Sequence, residues 1–154
     1  MREQSCELPM SNASEREIDE ILASARTIAV VGLSDRSDRE SHMVARYLQA
    51  NGYRIIPVNP AATEVLGERS YPDLASIPPE IAIDVVDIFR KPEFIPEIVD
   101  EGIARGARVV WMQLGLVHNV AAQKARAAGL AVVMNCCMKV EHARWSGHHP
   151  HPRA

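Results

Sequence analysis

The sequence predicts an α/β fold: a Rossmann-like open parallel sheet of about five strands with helices on both faces, in a single domain. Three observations predict it. Short apolar runs recur at 27–31, 53–58, 81–86, 108–112 and 130–134. These runs are mostly continuous rather than alternating, which suits strands buried on both faces of a parallel sheet. Between most of them lie segments with helical apolar spacing and helix start or stop residues, so the chain alternates strand and helix.

Each element has its own reason. Ser14-Glu15-Arg16-Glu17 is a capping box, and Ile18, Ile21, Leu22 and Ala25 follow at helical spacing, giving a helix over about 15–25. Thr27–Val31 is the first strand and ends at Gly32. Met43, Val44, Tyr47 and Leu48 mark the next helix, which starts near Ser41 and stops at Asn51-Gly52. Residues 53–58 form the second strand and 81–86 the third. Between them the pattern is irregular, with one helical turn expected in 61–67 and another in 73–77. Pro96 opens a helix carrying Ile98, Val99 and Ile103, closed by Gly106. The fourth strand follows at 108–112. Asn119 caps a short Ala-rich helix closed by Gly129, and 130–134 is the fifth strand. Residues 1–14 read as a flexible N-terminus, 15–146 as the folded domain and 147–154 as a disordered tail rich in His and Pro.

Composition narrows the function. The chain has 154 residues, 47% hydrophobic and 24% charged, which is the make-up of one globular domain. No apolar run approaches the ~20 residues of a membrane span, and the first residues lack the apolar core of a signal peptide. A net charge of −3 argues against a nucleic-acid partner. Cys6, Cys136 and Cys137 are odd in number and lack disulfide-like spacing, so they read as reduced thiols of a cytoplasmic protein. No CxxC or HxxxH pair offers a metal site.

Open α/β sheets take ligands outside the carboxyl ends of their strands. The candidates are therefore the residues after each strand. Gly32 stands where a dinucleotide fingerprint would begin, and its backbone can approach a phosphate. The fingerprint is incomplete, because Ser34 and Ser37 occupy its other glycine places. After the second strand, Asn59-Pro60 replaces the acidic residue that an NAD enzyme uses for its ribose. Arg36, Arg39, Arg90 and Lys91 all fall in strand-end loops and suit phosphate groups. That pattern fits coenzyme A, with its pyrophosphate and 3′-phosphate, and fits NADP equally. Phe89 and Pro60 offer flat apolar surface to an adenine, and Gln113 has a polar side chain at the crevice. Cys136 and Cys137 follow the last strand, where a thiol would lie near a pantetheine tail. His42 and His118 read as surface or packing residues.

The blocks 30–34, 52–60, 84–90, 110–115 and 133–142 together resemble the stand-alone bacterial CoA-binding domain proteins. That family is similar to the CoA-binding N-terminal domain of the succinyl-CoA synthetase alpha subunit. The resemblance covers about residues 20–145. It implies that Gly32, Leu33 and Ser34 meet the phosphates and that Asn59 and Pro60 line the adenosine side, with Phe89 and Arg90 nearby. Gln113 and Gly115 would sit toward the pantetheine. One position departs from the family pattern: Cys136 stands where Arg is usual, next to the expected Cys137.

These readings make the chain a non-catalytic binder of coenzyme A or acyl-CoA, in a regulatory or carrier role, with a protein partner left open. Two alternatives remain. One is an NAD(P)-dependent oxidoreductase; the other is a redox module forming a mixed disulfide with CoA through Cys137.

Overall fold

The computed structural model describes residues 8–148. The elements follow as α1 Glu15–Ser24, β1 Thr27–Val31, α2 Glu40–Ala50 and β2 Arg54–Val58, then the short strands β3 Glu64–Val65 and β4 Glu68–Arg69. After these come β5 Val85–Ile88, α3 Ile95–Ala104, β6 Val109–Met112, α4 Asn119–Ala127, β7 Ala131–Val133 and α5 Met138–His148. The main sheet is parallel throughout, in the order β2-β1-β5-β6-β7. This is the expected Rossmann-like arrangement of five parallel strands between two helical layers.

Successive strand residues point to opposite faces, so continuous apolar strands feed two cores. Ala29, Val31, Val86, Ile88, Val110 and Met112 pack beneath α3 and α4. Ile28, Val30, Val85, Val109, Trp111 and Val133 pack with residues of α1, α2 and α5. Helix α5 has Met138, His142 and Trp145 buried at helical spacing. No helix among the described residues is long and apolar enough to cross a membrane.

Three details differ from the sequence reading, and a fourth agrees with it. Residues 61–67 contain no helical turn. Glu64–Val65 and Glu68–Arg69 pair antiparallel around Leu66 and Gly67, which have φ of 55° and 77°. Two successive left-handed residues give the tight hairpin turn that matches strand twist. The third main strand is Val85–Ile88, not 81–86. Asp84 stays outside it because its carboxylate accepts from the Arg26 and Thr27 amides at 2.8 and 2.9 Å and pairs with Arg108 at 3.2 Å. Helix α4 is capped by His118, whose Nδ1 accepts from Ala121 N at 3.2 Å, rather than by Asn119. Asn119 is the first helical residue, and its side chain binds Met10 N and Leu8 O, both at 2.8 Å. The expected turn at 73–77 is a 3₁₀ turn, Leu74–Ser76, capped by Asp73.

Residues 8–14, read as part of a flexible terminus, carry specific bonds to the domain. Asn12 Oδ1 accepts from Met134 N at 2.9 Å, and its Nδ2 donates to Met134 O at 2.8 Å. Residues 1–7, with Cys6, and 149–154 of the His/Pro tail lie outside the described residues; residues 147–148 continue α5. The irregular segment between β4 and β5 is held by Arg105. Its guanidinium donates to the carbonyls of Leu74, Ile77, Pro78 and Ile81 at 2.6–3.2 Å.

Strand β1 lies between β2 and β5, so the chain leaves it in one direction and returns past it in the other. The carboxyl ends of β1 and β5 thus bound a topological switch point. Gly32 closes β1 there, with φ +90° and its N–H donated to Val58 O at 2.8 Å. A Cβ on Gly32 would sit 2.6 Å from Phe89 O, inside contact distance. The glycine thus has a packing cause, independent of any ligand. Gly32→Ala is expected to lower stability by more than about 1 kcal/mol, since both the left-handed φ and the clash oppose it. Urea denaturation measures this; parental stability would show that β1 and β5 have slack the geometry denies.

Candidate functional site

Three hollows open around the switch point. The first, about 240 Å³, is lined by Gly32, Ser34, Arg39, Glu40, Ser41 and Phe89. The second, about 270 Å³, is lined mainly by Phe89, Arg90, Lys91, Pro92, Gln113, Leu114 and Leu116, with Glu40 at its margin. The third, about 220 Å³, has Val31, Val58, Pro72, Arg90, Phe94 and Ile98 beside the carboxylates of Asp73, Glu97 and Glu101. Phe89 and Glu40 are shared by the first two and Arg90 by the last two, so the hollows adjoin in one crevice. A larger concavity, about 890 Å³, lies at the opposite, amino edge of the sheet, around Ser24, Gly106, Arg108 and Gly129. The strand-end rule favours the carboxyl edge despite its smaller volumes.

The loop after β1 is built by internal hydrogen bonds. Leu33 is buried, and its carbonyl accepts from Asn59 Nδ2 at 2.9 Å. Ser34 N donates to Ser41 Oγ at 3.0 Å, Ser34 Oγ accepts from Arg36 N at 3.0 Å, and Ser34 O accepts from His42 Nδ1 at 2.9 Å. His42 is therefore a structural residue that seats the loop on α2. Arg36 points away into an exposed pair with Asp38 at 3.4 Å. Arg39 lines the first hollow at the N-cap of α2, a position with no side-chain cap bond. The first amides of that helix consequently present their positive end to the hollow, a setting that favours anions. Glu40 in the same turn opposes this with an exposed carboxylate.

The predicted residues divide accordingly. Gly32, Ser34, Arg39, Phe89, Arg90 and Gln113 line the crevice. Leu33 contributes backbone only. Asn59 is spent on a turn, accepting from Ala61 N at 2.8 Å while it holds Leu33. Pro60 is exposed and lines none of the three hollows. Arg90 lies over the Phe94 ring at 4.2 Å and lines both the second and the third hollow. Gly115 donates its N–H to Asn135 Oδ1 at 2.7 Å, tying the loops after β6 and β7 together. Asn135 itself has φ +60°, a strained setting for a residue other than glycine.

Sequence reasoning missed the rim residues Pro72, Phe94 and Glu97. Pro72 comes from the irregular segment, Phe94 from the 3₁₀ turn Pro92–Phe94 and Glu97 from the first turn of α3, none of which a strand-end position marks. It also missed Asp87. That residue lies inside β5, fully buried, and accepts from Gln113 Nε2 at 2.7 Å. Burial pushes its carboxyl up to about 7 while the Gln113 bond pulls it down. Burial likewise raises Glu101; the Leu74 amide lowers it, and Asp73 and Glu97 raise it further.

Cys136 and Cys137 are half-buried free thiols just before α5. Cys136 Sγ bonds Met134 O at 3.4 Å, and its carbonyl accepts from Trp111 Nε1 at 2.9 Å. Burial, Glu141 and Cys137 all push the Cys136 thiol up. Neither cysteine lines the three hollows. Among the described residues, no group of three or more His, Cys, Asp or Glu is placed to hold a metal ion.

Fold and crevice together define a Rossmann-like domain with a small recess at its switch point, lined by one cation, Arg39, and one carboxylate, Glu40. The chain belongs to the CoA binding domain family, whose model matches residues 26–143. It is 46% identical over 134 residues to the uncharacterized protein YneT of Bacillus subtilis strain 168, covering 87% of this chain and 98% of that one. A solved structure of a hypothetical protein from Pyrococcus horikoshii OT3 superposes with a TM-score of 0.84 at 41% identity. That match covers 94% of this chain and 99% of the other. The ADP-forming acetate–CoA ligase II of Archaeoglobus fulgidus is 32% identical over 89 residues, 55% of this chain but 13% of the ligase.

The raised Cys136 thiol carries a prediction. In the Cys137→Ser variant, Cys136 should react with iodoacetamide several-fold more slowly at neutral pH than a free cysteine, because little thiolate is present. Peptide mass mapping over time reads the rate; alkylation as fast as free cysteine would contradict the protected setting.

Proposed function

We propose that this chain binds coenzyme A or an acyl-CoA in the switch-point crevice and that occupancy, not turnover, is its output. One observation carries the reading: the uncapped start of α2 lines a small recess with Gly32, Ser34 and Arg39, at the point where α/β sheets receive nucleotides. The residues fit the group part by part. The recess suits the pyrophosphate, with Arg39 as its cation. The hollow of Phe89, Pro92, Leu114 and Leu116 has apolar walls that suit pantetheine. The third hollow offers Pro72, Phe94 and Ile98 to a flat ring, and its carboxylates suit an amino group or ribose hydroxyls rather than a phosphate. Arg90 and Lys91 stand beside it for the 3′-phosphate.

Family membership supports CoA over other phosphate-rich nucleotides, and the match to part of a CoA ligase points the same way. Binding without chemistry is supported by the crevice side chains. Ser34 and Ser41 use their hydroxyls on backbone amides, and His42 is held by a carbonyl, so no nucleophile is hydrogen-bonded to a base among the residues lining the recess.

Isothermal titration calorimetry tests this. CoA should bind, and Arg39→Ala should weaken it roughly ten- to hundredfold, the range for a lost charge-assisted hydrogen bond of about 1.5–3 kcal/mol. Dephospho-CoA should bind more weakly than CoA, and more nearly alike in Arg90→Ala. Tighter binding of NADPH than of CoA, or CoA affinity unmoved by Arg39→Ala, would sink the assignment.

A further inference from the structure

Asp87 and Gln113 form a closed polar pair inside the apolar sheet, directly below the crevice. Asp87 lies in β5 beside Val30 of β1 and Trp111 of β6, two residues before Phe89. Gln113 directly follows β6, and its N–H reaches Ile88 O at 3.4 Å. Asp87 is 0% exposed and Gln113 3%. Their one hydrogen bond, Gln113 Nε2 to Asp87 Oδ1, leaves Asp87 Oδ2 and Gln113 Oε1 buried with no hydrogen-bond partner among the described residues. Both orphans are oxygens, and both act only as acceptors while Asp87 is ionised. Two buried acceptors without a donor are costly. A single proton on Asp87 Oδ2 removes both deficits, because the carboxylic acid then donates to the amide oxygen while accepting from the amide nitrogen.

We propose that Asp87 holds a proton shared with Gln113 Oε1, making a cyclic acid–amide clasp between β5 and β6 that opens when Asp87 ionises. The clasp joins the two strands that deliver Phe89-Arg90 and Leu114-Gly115 to the crevice rim. Its opening places a bare charge under the rim and lets the two loops part.

The surroundings leave the carboxylate without an ionic partner. β1 and β6 bring only apolar side chains beside it. On α2, His42 is bound to Ser34 O, and Glu40 and Arg46 are exposed. Near the start of α5, Glu141 pairs with Arg144 at 3.2 Å, His142 bonds Tyr47, and Lys139 lies over the Tyr47 ring. Cys136 and Cys137 precede that helix, and Arg90 is stacked on Phe94. None of these enters the causes acting on Asp87, which are burial and Gln113 alone.

The sign follows from linkage. Asp87 is raised from 3.8 to about 7 in the folded chain. Between those values the folded state holds more proton than the unfolded one, so its contribution to stability declines as pH rises through the window and is level above it. Asp87→Asn supplies the missing donor permanently: its amide can give Nδ2–H to Gln113 Oε1 and accept from Nε2 at any pH.

The test uses the protein without ligand, so it stands or fails apart from CoA binding. Thermal unfolding of parent and D87N is compared at about pH 5 and about pH 8. The clasp predicts that D87N gains on the parent as pH rises and is the more stable at the upper value. A melting-temperature difference that stays constant with pH overturns it. Should D87N fail to fold, carboxyl ¹³C NMR of the parent decides: one aspartate titrating near neutrality, assigned to Asp87, upholds the clasp. An Asp87 carboxyl fully ionised at about pH 5 refutes it.

Discussion

The placement of β1 between two parallel neighbours reached by opposite crossovers governs the molecule. Hydrogen bonds fix β1 to β2 over five residues and to β5 over four, and two further bonds, Gly32 N to Val58 O and Phe89 N to Val31 O, carry the pairing past the strand ends. Because helices leave on opposite faces from this point, no backbone covers the gap above β1 and β5. The recess and the uncapped start of α2 lie beside that gap. Gly32 is the tightest point of the arrangement, since the β5 backbone occupies the space where its side chain would be.

Much of this was legible in the sequence, for identifiable reasons. Buried parallel strands leave continuous apolar runs, a capping box opens the first helix, and terminal glycines punctuate the helices between the strands. Hence the strand count, the layers and the crevice residues Gly32, Ser34, Arg39, Phe89, Arg90 and Gln113 could be read directly. The hairpin at 64–69 could not, because its first left-handed position is Leu66, a residue that gives no turn signal. Asp87 falls just past the apolar run at 81–86, and carboxylates are seldom fully buried, so nothing in the sequence marks it as a strand residue. Its partner, Gln113, was seen, but a pair 26 residues apart leaves no spacing pattern. Helix α5 went unread because a histidine occupies the middle of its buried stripe.

The crevice shows a division of labour between rigid floor and polar rim. The floor is made by strand backbone and buried apolar side chains, whose positions are fixed by two cores. The rim comes from loops whose polar atoms are mostly spent on one another, as in Ser34 with Ser41 and His42, or Asn59 with Leu33. Such self-satisfied loops are pre-organised, so a ligand need not order them on arrival. The cysteines belong to neither part. They sit at a corner that Trp111 anchors from the sheet, and neither lines the three hollows.

The double bond of Asn12 to Met134 has a wider meaning for the sheet. Strand β7 is an outer strand, and outer strands invite pairing with other chains. A carboxamide has the same donor and acceptor as a peptide group. Asn12 thus imitates one residue of a sixth strand and ends the ladder there. With only three residues in β7, that single mimic occupies the end of the edge that leads into the last loop. The N-terminal segment therefore hems the sheet at this corner, as a selvedge finishes a cloth.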